Sequence, residues 1–237
     1  MNLTRPRELI YDAVLTLAYP QTCAICGRSV ERRRFGVACE ECWKETQIFA
    51  DDEAICWKCG APGPACGRCE EMAFTAARAA GMYRGALRES VLMLKRRPYL
   101  PEHVQNLLES VVMREPLSFS TRVVPVPLHP KRLKTRGFNQ AAIVAQTVAK
   151  ALKLPLDEVS LVRVSATEKY RAGLDRKGRQ DTVAGAFDVS HQRLVADENI
   201  LLVDDVFTTG ATVSSCADVL VAAGAMQVFV LTVARAR

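Results

Sequence analysis

Asp204 and Asp205 stand side by side after the aliphatic run 200–203, and Thr208, Thr209, Gly210 and Thr212 follow closely. Adjacent carboxylates can hydrogen-bond sugar hydroxyls or hold a cation. Hydroxyls, backbone N–H groups and a helix N-terminus can together cradle a phosphate. Acids beside a phosphate cradle fit a sugar phosphate as ligand. A second group of reactive side chains fills residues 23–69 with four C-x2-C pairs: Cys23 and Cys26, Cys39 and Cys42, Cys56 and Cys59, Cys66 and Cys69. Each pair can wrap two thiolates around one tetrahedral zinc. Pairing in chain order gives two four-thiolate zinc ribbons; a cross-brace of first with third and second with fourth is the other arrangement. Iron–sulfur chemistry is the weaker alternative, because the close C-x2-C-x2-C spacing is missing. The segment holds no histidine, so both sites read as closed and structural, with zinc supplying most of the folding energy.

A third cluster begins at the apolar stretch from Val123 to His129, which holds Pro125 and Pro127. Lys131, Arg132, Lys134 and Arg136 follow, so five basic or histidine side chains fall between 129 and 136. Such a density favours phosphate contact over a plain solvated loop. Two prolines with a histidine at a strand end call for a rigid turn, with a cis peptide as one way to make it.

The elements that must position these groups follow from periodicity. Residues 200–203, apolar without alternation, read as a buried parallel strand. Ligands in open α/β sheets sit beyond the carboxyl ends of such strands. A helix is expected over 212–223 and a strand over 228–233; short strands over 161–164 and 186–189 complete a doubly wound sheet. Leu87, Val91, Leu92 and Leu94 form a helical stripe that ends in Lys95-Arg96-Arg97. Further helices are expected over 102–114 and 141–152, and a strand over 79–83. An amphipathic helix is expected over 8–19, packed on the main domain ahead of a membrane surface or a partner, and the polar segment 167–181 reads as a hood or loop. Cys216 falls inside a helix as a small buried residue rather than a nucleophile. Trp43 and Trp57, each beside a cysteine, are read as core ahead of base-stacking platforms.

The chain has 237 residues, 49% of them hydrophobic, enough for a sizeable core. Residues 1–71 hold nine Lys/Arg against eleven Asp/Glu, so the overall charge of +6 leaves the remainder at +8. That excess suits polyphosphates or nucleic-acid backbones. The reading divides the chain into a helix and zinc-ribbon module (1–71) and an α/β domain (72–237), the latter with a hood-like part (72–118) and a core (119–237). Paired thiols without a secretory signal or an 18-residue apolar span point to a reducing cytoplasm and no transmembrane segment.

The stretch LLVDDVFTTGAT resembles the phosphoribosyl-pyrophosphate (PRPP) motif of type I phosphoribosyltransferases. With VPVPLHP, RGFNQ, the Leu94-Lys95 pair and the cysteine knuckles, nearly the whole chain resembles the ComF (ComFC/GntX) family. The resemblance implies a phosphoribosyltransferase-like, doubly wound, mainly parallel sheet joined to a small N-terminal double zinc-ribbon module. It assigns PRPP binding to Asp204, Asp205, Val206, Phe207, Thr208, Thr209, Gly210, Ala211 and Thr212, with Pro127, Leu128 and His129 on the pyrophosphate side. If the chain is a transferase, the catalytic set is Asp204, Asp205, Lys95 and Arg136, with Mg2+ accompanying PRPP and two structural zinc ions. Family members act in natural transformation, which implies single-stranded DNA and DNA-uptake proteins such as a competence helicase as partners. A non-catalytic DNA-handling or PRPP-sensing accessory protein is the alternative. The chain departs from the family pattern at Arg96, Arg171 and Thr182, where tyrosine, glutamine and asparagine are usual.

Overall fold

The computed structural model describes residues 21–50, 53, 55–63, 66–67, 69–164 and 185–236. The helix expected over 8–19 and the segment 167–181, with Arg171 and the neighbouring Thr182, lie outside them. In chain order the described elements are α1 (Glu40–Lys44), β1 (Ala76–Ala79), α2 (Gly85–Leu94), α3 (Glu102–Val112), β2 (Arg122–Pro125), α4 (Pro130–Arg136), α5 (Gln140–Leu152), β3 (Leu161–Arg163), β4 (Phe187–Val189), β5 (Asn199–Phe207), α6 (Ala211–Ala222) and β6 (Gln227–Arg235).

β5 and β6 form the centre of a four-stranded parallel sheet ordered β1-β6-β5-β2. Eight of the nine β6 residues are buried, as expected for a strand covered on both faces. Along β5 the side chains alternate between two packed layers. Leu201 and Val203 join Phe229 and Leu231 against Val91 and Leu94 of α2, Val104 and Leu108 of α3, and Val144 and Val148 of α5. Ile200 and Leu202 join Val228 and Val230 against Val213, Cys216 and Leu220 of α6, together with Leu161 and Phe187. Burying side chains of this size is worth about 1.5–3 kcal/mol each. The expected burial of Cys216 is thus met.

The cysteine segment divides between the same two layers. Cys23, Cys39 and Cys42 pack with the α2–α3–α5 layer, and Cys56, Cys59 and Cys69 with the α6 layer. Trp43 is 5% exposed and joins the core, whereas Trp57 is 62% exposed and does not.

Several boundaries differ from expectation. The strand placed over 79–83 is Ala76–Ala79, within the stretch read as hood-like; alanines carry little strand propensity, so pairing with Phe229–Thr232 of β6 sets its limits. β3 and β4 do not complete the main sheet. They pair antiparallel with each other, Leu161 opposite Val189 and Arg163 opposite Phe187, as a separate two-stranded sheet. The basic run after His129 is helix α4, with Pro130 in its first turn and Gly137 ending it at φ 83°. Among the described residues the cis peptide is Glu115–Pro116, so the turn after β2 is trans throughout.

Candidate functional site

β5 is longer than 200–203, because β6 pairs with it as far as Phe207 opposite Arg235. Asp204 and Asp205 therefore lie within the strand. On the other flank the ladder stops earlier. β2 pairs only to Pro125 opposite Val203, and the last bond on that side is Val126 N–H to the Val203 carbonyl at 2.8 Å. The two acids thus stand where one neighbour continues and the other turns away. Val126, Pro127, Leu128 and His129 leave the sheet at this level, and Asn139 braces them: its Nδ2 donates to the Val126 carbonyl at 3.0 Å, and its Oδ1 accepts from Ala141 N–H at 3.1 Å to cap α5. The RGFNQ stretch is explained by this, since Gly137 ends one helix and Asn139 begins the next while holding the turn. His129 caps α4 by accepting from Lys131 N–H at 3.2 Å. Arg136 pairs with Gln140 through its guanidinium.

The two carboxyls have different surroundings. Asp205 is 7% exposed, and its Oδ2 lies 3.1 Å from Lys95 Nζ, just past the end of α2. That oxygen makes no properly angled hydrogen bond, so a buried acceptor is left with an ion pair as its main satisfaction. Asp204 accepts from the Asp205 N–H at 2.8 Å. Burial pushes Asp204 up to about 8, the Asp205 charge adds to the rise, and Lys95 opposes it. Arg163 and the Cys216 thiol also lie within electrostatic range, and burial raises the thiol and keeps it neutral.

Arg163 was not singled out by the sequence. Partly buried over the Phe187 ring at 5.1 Å, it brings a guanidinium within electrostatic range of Asp204 and Arg132. Burial lowers its own basicity. The available signal was a lone arginine closing the apolar strand 161–163, too weak without the fold.

The loop following β5 is open to solvent at Thr208 and Thr209 and buried at Gly210. Gly210 is left-handed at φ 81°, and a Cβ there would lie 2.8 Å from Phe207 Cζ and 2.9 Å from Met72 Cε. Glycine is required on both counts. Thr209 Oγ1 accepts from Ala211 N–H at 3.3 Å, and α6 then begins at Ala211 with Thr212 in its first turn. Aspartates, loop and helix start therefore share one end of the sheet. Lys95 joins them directly, while Arg136 and His129 sit on the adjoining α4.

The cysteines assemble in chain order: Cys23, Cys26, Cys39 and Cys42 form one cluster, Cys56, Cys59, Cys66 and Cys69 the other. Within each, the ligand atoms lie within 4.8 Å of one another. Closest sulfur pairs are 3.6 Å for Cys26–Cys39 and Cys56–Cys69, 3.3 Å for Cys59–Cys66 and 3.2 Å for Cys66–Cys69. A tetrahedron of thiolates around zinc has edges of about 3.8 Å. The donor sets fit zinc, and the cross-brace is excluded. Arg28 Nε approaches Cys26 Sγ at 3.4 Å, and this contact holds the thiol down to about 6, favouring the thiolate.

Comparison with known proteins agrees with these features. Residues 14–73 match the family described as double zinc ribbon domain. The DNA utilization protein YhgH of Salmonella typhi is 30% identical over 231 residues, spanning 92% of this chain and 99% of the relative. Competence protein F of Haemophilus influenzae is 32% identical over 121 residues, or 51% of this chain and 52% of that protein. Among solved structures, the glutamine PRPP amidotransferase of B. subtilis, complexed with ADP and GMP, overlaps at a TM-score of 0.41 and 18% identity, covering 60% of this chain and 30% of its own.

Proposed function

The chain belongs to the ComF family, and from that premise we propose that its β5 end binds PRPP with Mg2+ in the service of DNA uptake during transformation. The observation that carries this reading is the buried Asp205 carboxylate, whose Oδ2 meets Lys95 at 3.1 Å yet lacks a hydrogen-bond partner, beside the open hydroxyls of Thr208 and Thr209. A ribose hydroxyl supplies the donor that Asp205 lacks. Asp204 takes the neighbouring hydroxyl, and its raised pKa means that a bound cation must displace its proton. Thr208, Thr209, Gly210 and Thr212 receive the 5′-phosphate at the start of α6. Lys95, once released from Asp205, meets the pyrophosphate together with His129 and Arg136.

Mg2+ suits the oxygen donors of Asp204 and Asp205, and when bound with PRPP it neutralises charge on the departing pyrophosphate. If the chain turns its ligand over, the bond from ribose C1 to pyrophosphate breaks and an acceptor nucleophile takes the ribose. No protein nucleophile is needed. The names of the relatives, DNA utilization protein and competence protein, support a role in handling incoming DNA. The fit of eight cysteines to zinc supports a cytoplasmic setting.

Calorimetry with PRPP and Mg2+ tests the assignment. Asp205→Asn is expected to weaken binding about tenfold or more, the loss of a charged hydrogen bond, while zinc content stays at two per chain. Unchanged affinity removes the reading. Pyrophosphate release with candidate acceptors then separates a transferase from a sensor.

A second reading, direct binding of single-stranded DNA, is favoured by one cleft. A cavity of about 830 Å³ between the first cysteine cluster and the end of α2 is lined by Arg33, Arg97, Tyr99, Gln21, Thr22 and Met93. Guanidinium groups beside a half-exposed tyrosine offer phosphate contacts and a stacking face. Binding of an oligonucleotide that ignores salt concentration rules this out.

A further inference from the structure

The second cysteine cluster is joined to the 208–212 loop by a closed path of contacts that begins and ends on two ligands of one metal site. Cys59 offers its carbonyl to the Arg235 guanidinium. Arg235 is 8% exposed, and its guanidinium lies over the Phe207 ring at 4.7 Å. Phe207 also meets Phe74 edge to face at 6.0 Å and underlies Gly210, which has no room for a Cβ between Phe207 and Met72. Met72 N–H donates to the Cys69 carbonyl at 3.2 Å, closing the path. Beside it Ala73 N–H donates to Ser214 Oγ at 3.1 Å, fastening the first turn of α6 to the same segment.

The Arg235 backbone is equally fixed. Its N–H donates to the Gly81 carbonyl at 2.9 Å, and its carbonyl accepts from Tyr83 N–H at 2.7 Å. A buried guanidinium with an aromatic face and a carbonyl as its named partners is costly unless those partners stay in place. Both depend on ordered cysteine geometry: the Cys59 carbonyl on the knuckle that closes when Gly60 N–H donates to the Cys56 carbonyl at 2.7 Å, and Phe207 through Met72. Gly60 in turn is pressed on β1, where an added Cβ would meet the Ala77 carbonyl at 2.5 Å. The knuckle therefore cannot shift without moving the sheet edge or Arg235.

We propose that Arg235 is a positioning residue through which the Cys56/Cys59/Cys66/Cys69 site sets the conformation of the 208–212 loop, so that phosphate capture there requires metal in that site. The binding half of this statement rests on the PRPP reading above; the coupling half does not.

The test uses the full chain loaded with zinc and compares wild type with Arg235→Gln and Arg235→Lys. Zinc is counted by elemental analysis, amide exchange is followed at 207–214 and at α2, and PRPP with Mg2+ is titrated by calorimetry. Arg235→Gln should keep both zinc ions, raise exchange at 211–214 about tenfold with α2 unchanged, and weaken PRPP binding by a similar factor, the usual scale for a group that orients a ligand contact. Arg235→Lys, which keeps a cation over Phe207, should recover most of both effects. Loop exchange at wild-type level in Arg235→Gln overturns the proposal, as does an equal rise in α2, which marks general loosening. Should Arg235→Gln fail to fold, Ser214→Ala opens the other link and must raise exchange at the same amides for the coupling to stand. If wild type binds no PRPP while exchange at 207–214 still answers to Arg235, the coupling stands and the ligand reading falls.

Discussion

Two zinc ribbons of nearly the same design reach one end of the sheet, the proposed ligand site, by different routes. The first lies on the α2–α3–α5 layer. Its Phe35 and Trp43 rings receive His103 edge-on at 5.3 and 4.5 Å, and Gly36 is pressed on Pro101, so the ribbon grips the start of α3. Its link to α2 is Thr46, whose Oγ1 donates to the Cys42 carbonyl at 2.7 Å and accepts from Ala86 N–H at 2.9 Å. That bond satisfies one of the open amides at the N-terminus of α2, and just past the other end of α2 stands Lys95 beside Asp205. The second ribbon reaches Phe207 through Arg235, and Met72 and Ala73, just after its last cysteine, meet Gly210 and Ser214 with no helix between. One module acts through a ten-residue helix and the other by contact. Metal sites alike in ligands can therefore differ in what they hold still.

The largest expected effect separates the two sites directly. Cys56→Ser with Cys59→Ser should lower zinc from two to one per chain and abolish PRPP binding, because a structural zinc supplies on the order of 10 kcal/mol to its module. Cys23→Ser with Cys26→Ser should lose the same amount of zinc but weaken PRPP only through Lys95, by about tenfold. Amide exchange reads the distinction, rising at 207–214 in one variant and at 85–95 in the other. Identical patterns break the comparison.

A smaller effect concerns Asp204. Its folded pKa of about 8 lies above the ordinary 3.8, so the folded state holds a proton that the unfolded state has released. Its contribution to stability is complete below about pH 4 and is lost as pH rises through 8. Urea unfolding across this range should show wild type losing stability relative to Asp204→Asn, whose curve is flatter. Parallel curves place Asp204 in water rather than in the half-buried setting at the strand end.

The smallest effect sharpens the lever of the first ribbon. Thr46→Val removes both bonds between Cys42 and Ala86 and should cost about 1–2 kcal/mol in denaturant unfolding. Loop exchange at 207–214 should stay at wild type, since that loop belongs to the other ribbon. A rise there shows that α2 and the loop are one unit.

Much of this was legible in the chain. C-x2-C spacing gave the metal sites, and the continuous apolar run 200–203 gave the central strand with its acids and loop. What escaped reading was set by partners distant in sequence. Ala76–Ala79 is a strand because β6 accepts it, and three-residue strands such as 161–163 and 187–189 carry too little pattern to choose their sheet. The basic run 130–136 carries no apolar stripe to mark it as helix, although proline is well suited to its first turn. Arg163 and Arg235 matter through what they lie on, and no local spacing reports that. The order of the cysteine clusters was open in sequence and was decided by which sulfurs meet.

Successive side chains of a strand look to opposite sides, and here Asp205 pairs with Lys95 while Asp204 lies within electrostatic range of Arg163 and Cys216. A molecule that grasps both carboxylates at once must find each flank of the sheet intact. On the proposed reading the grip is therefore weighted: it fails when the second cluster is stripped of its ion and only slackens when the first is.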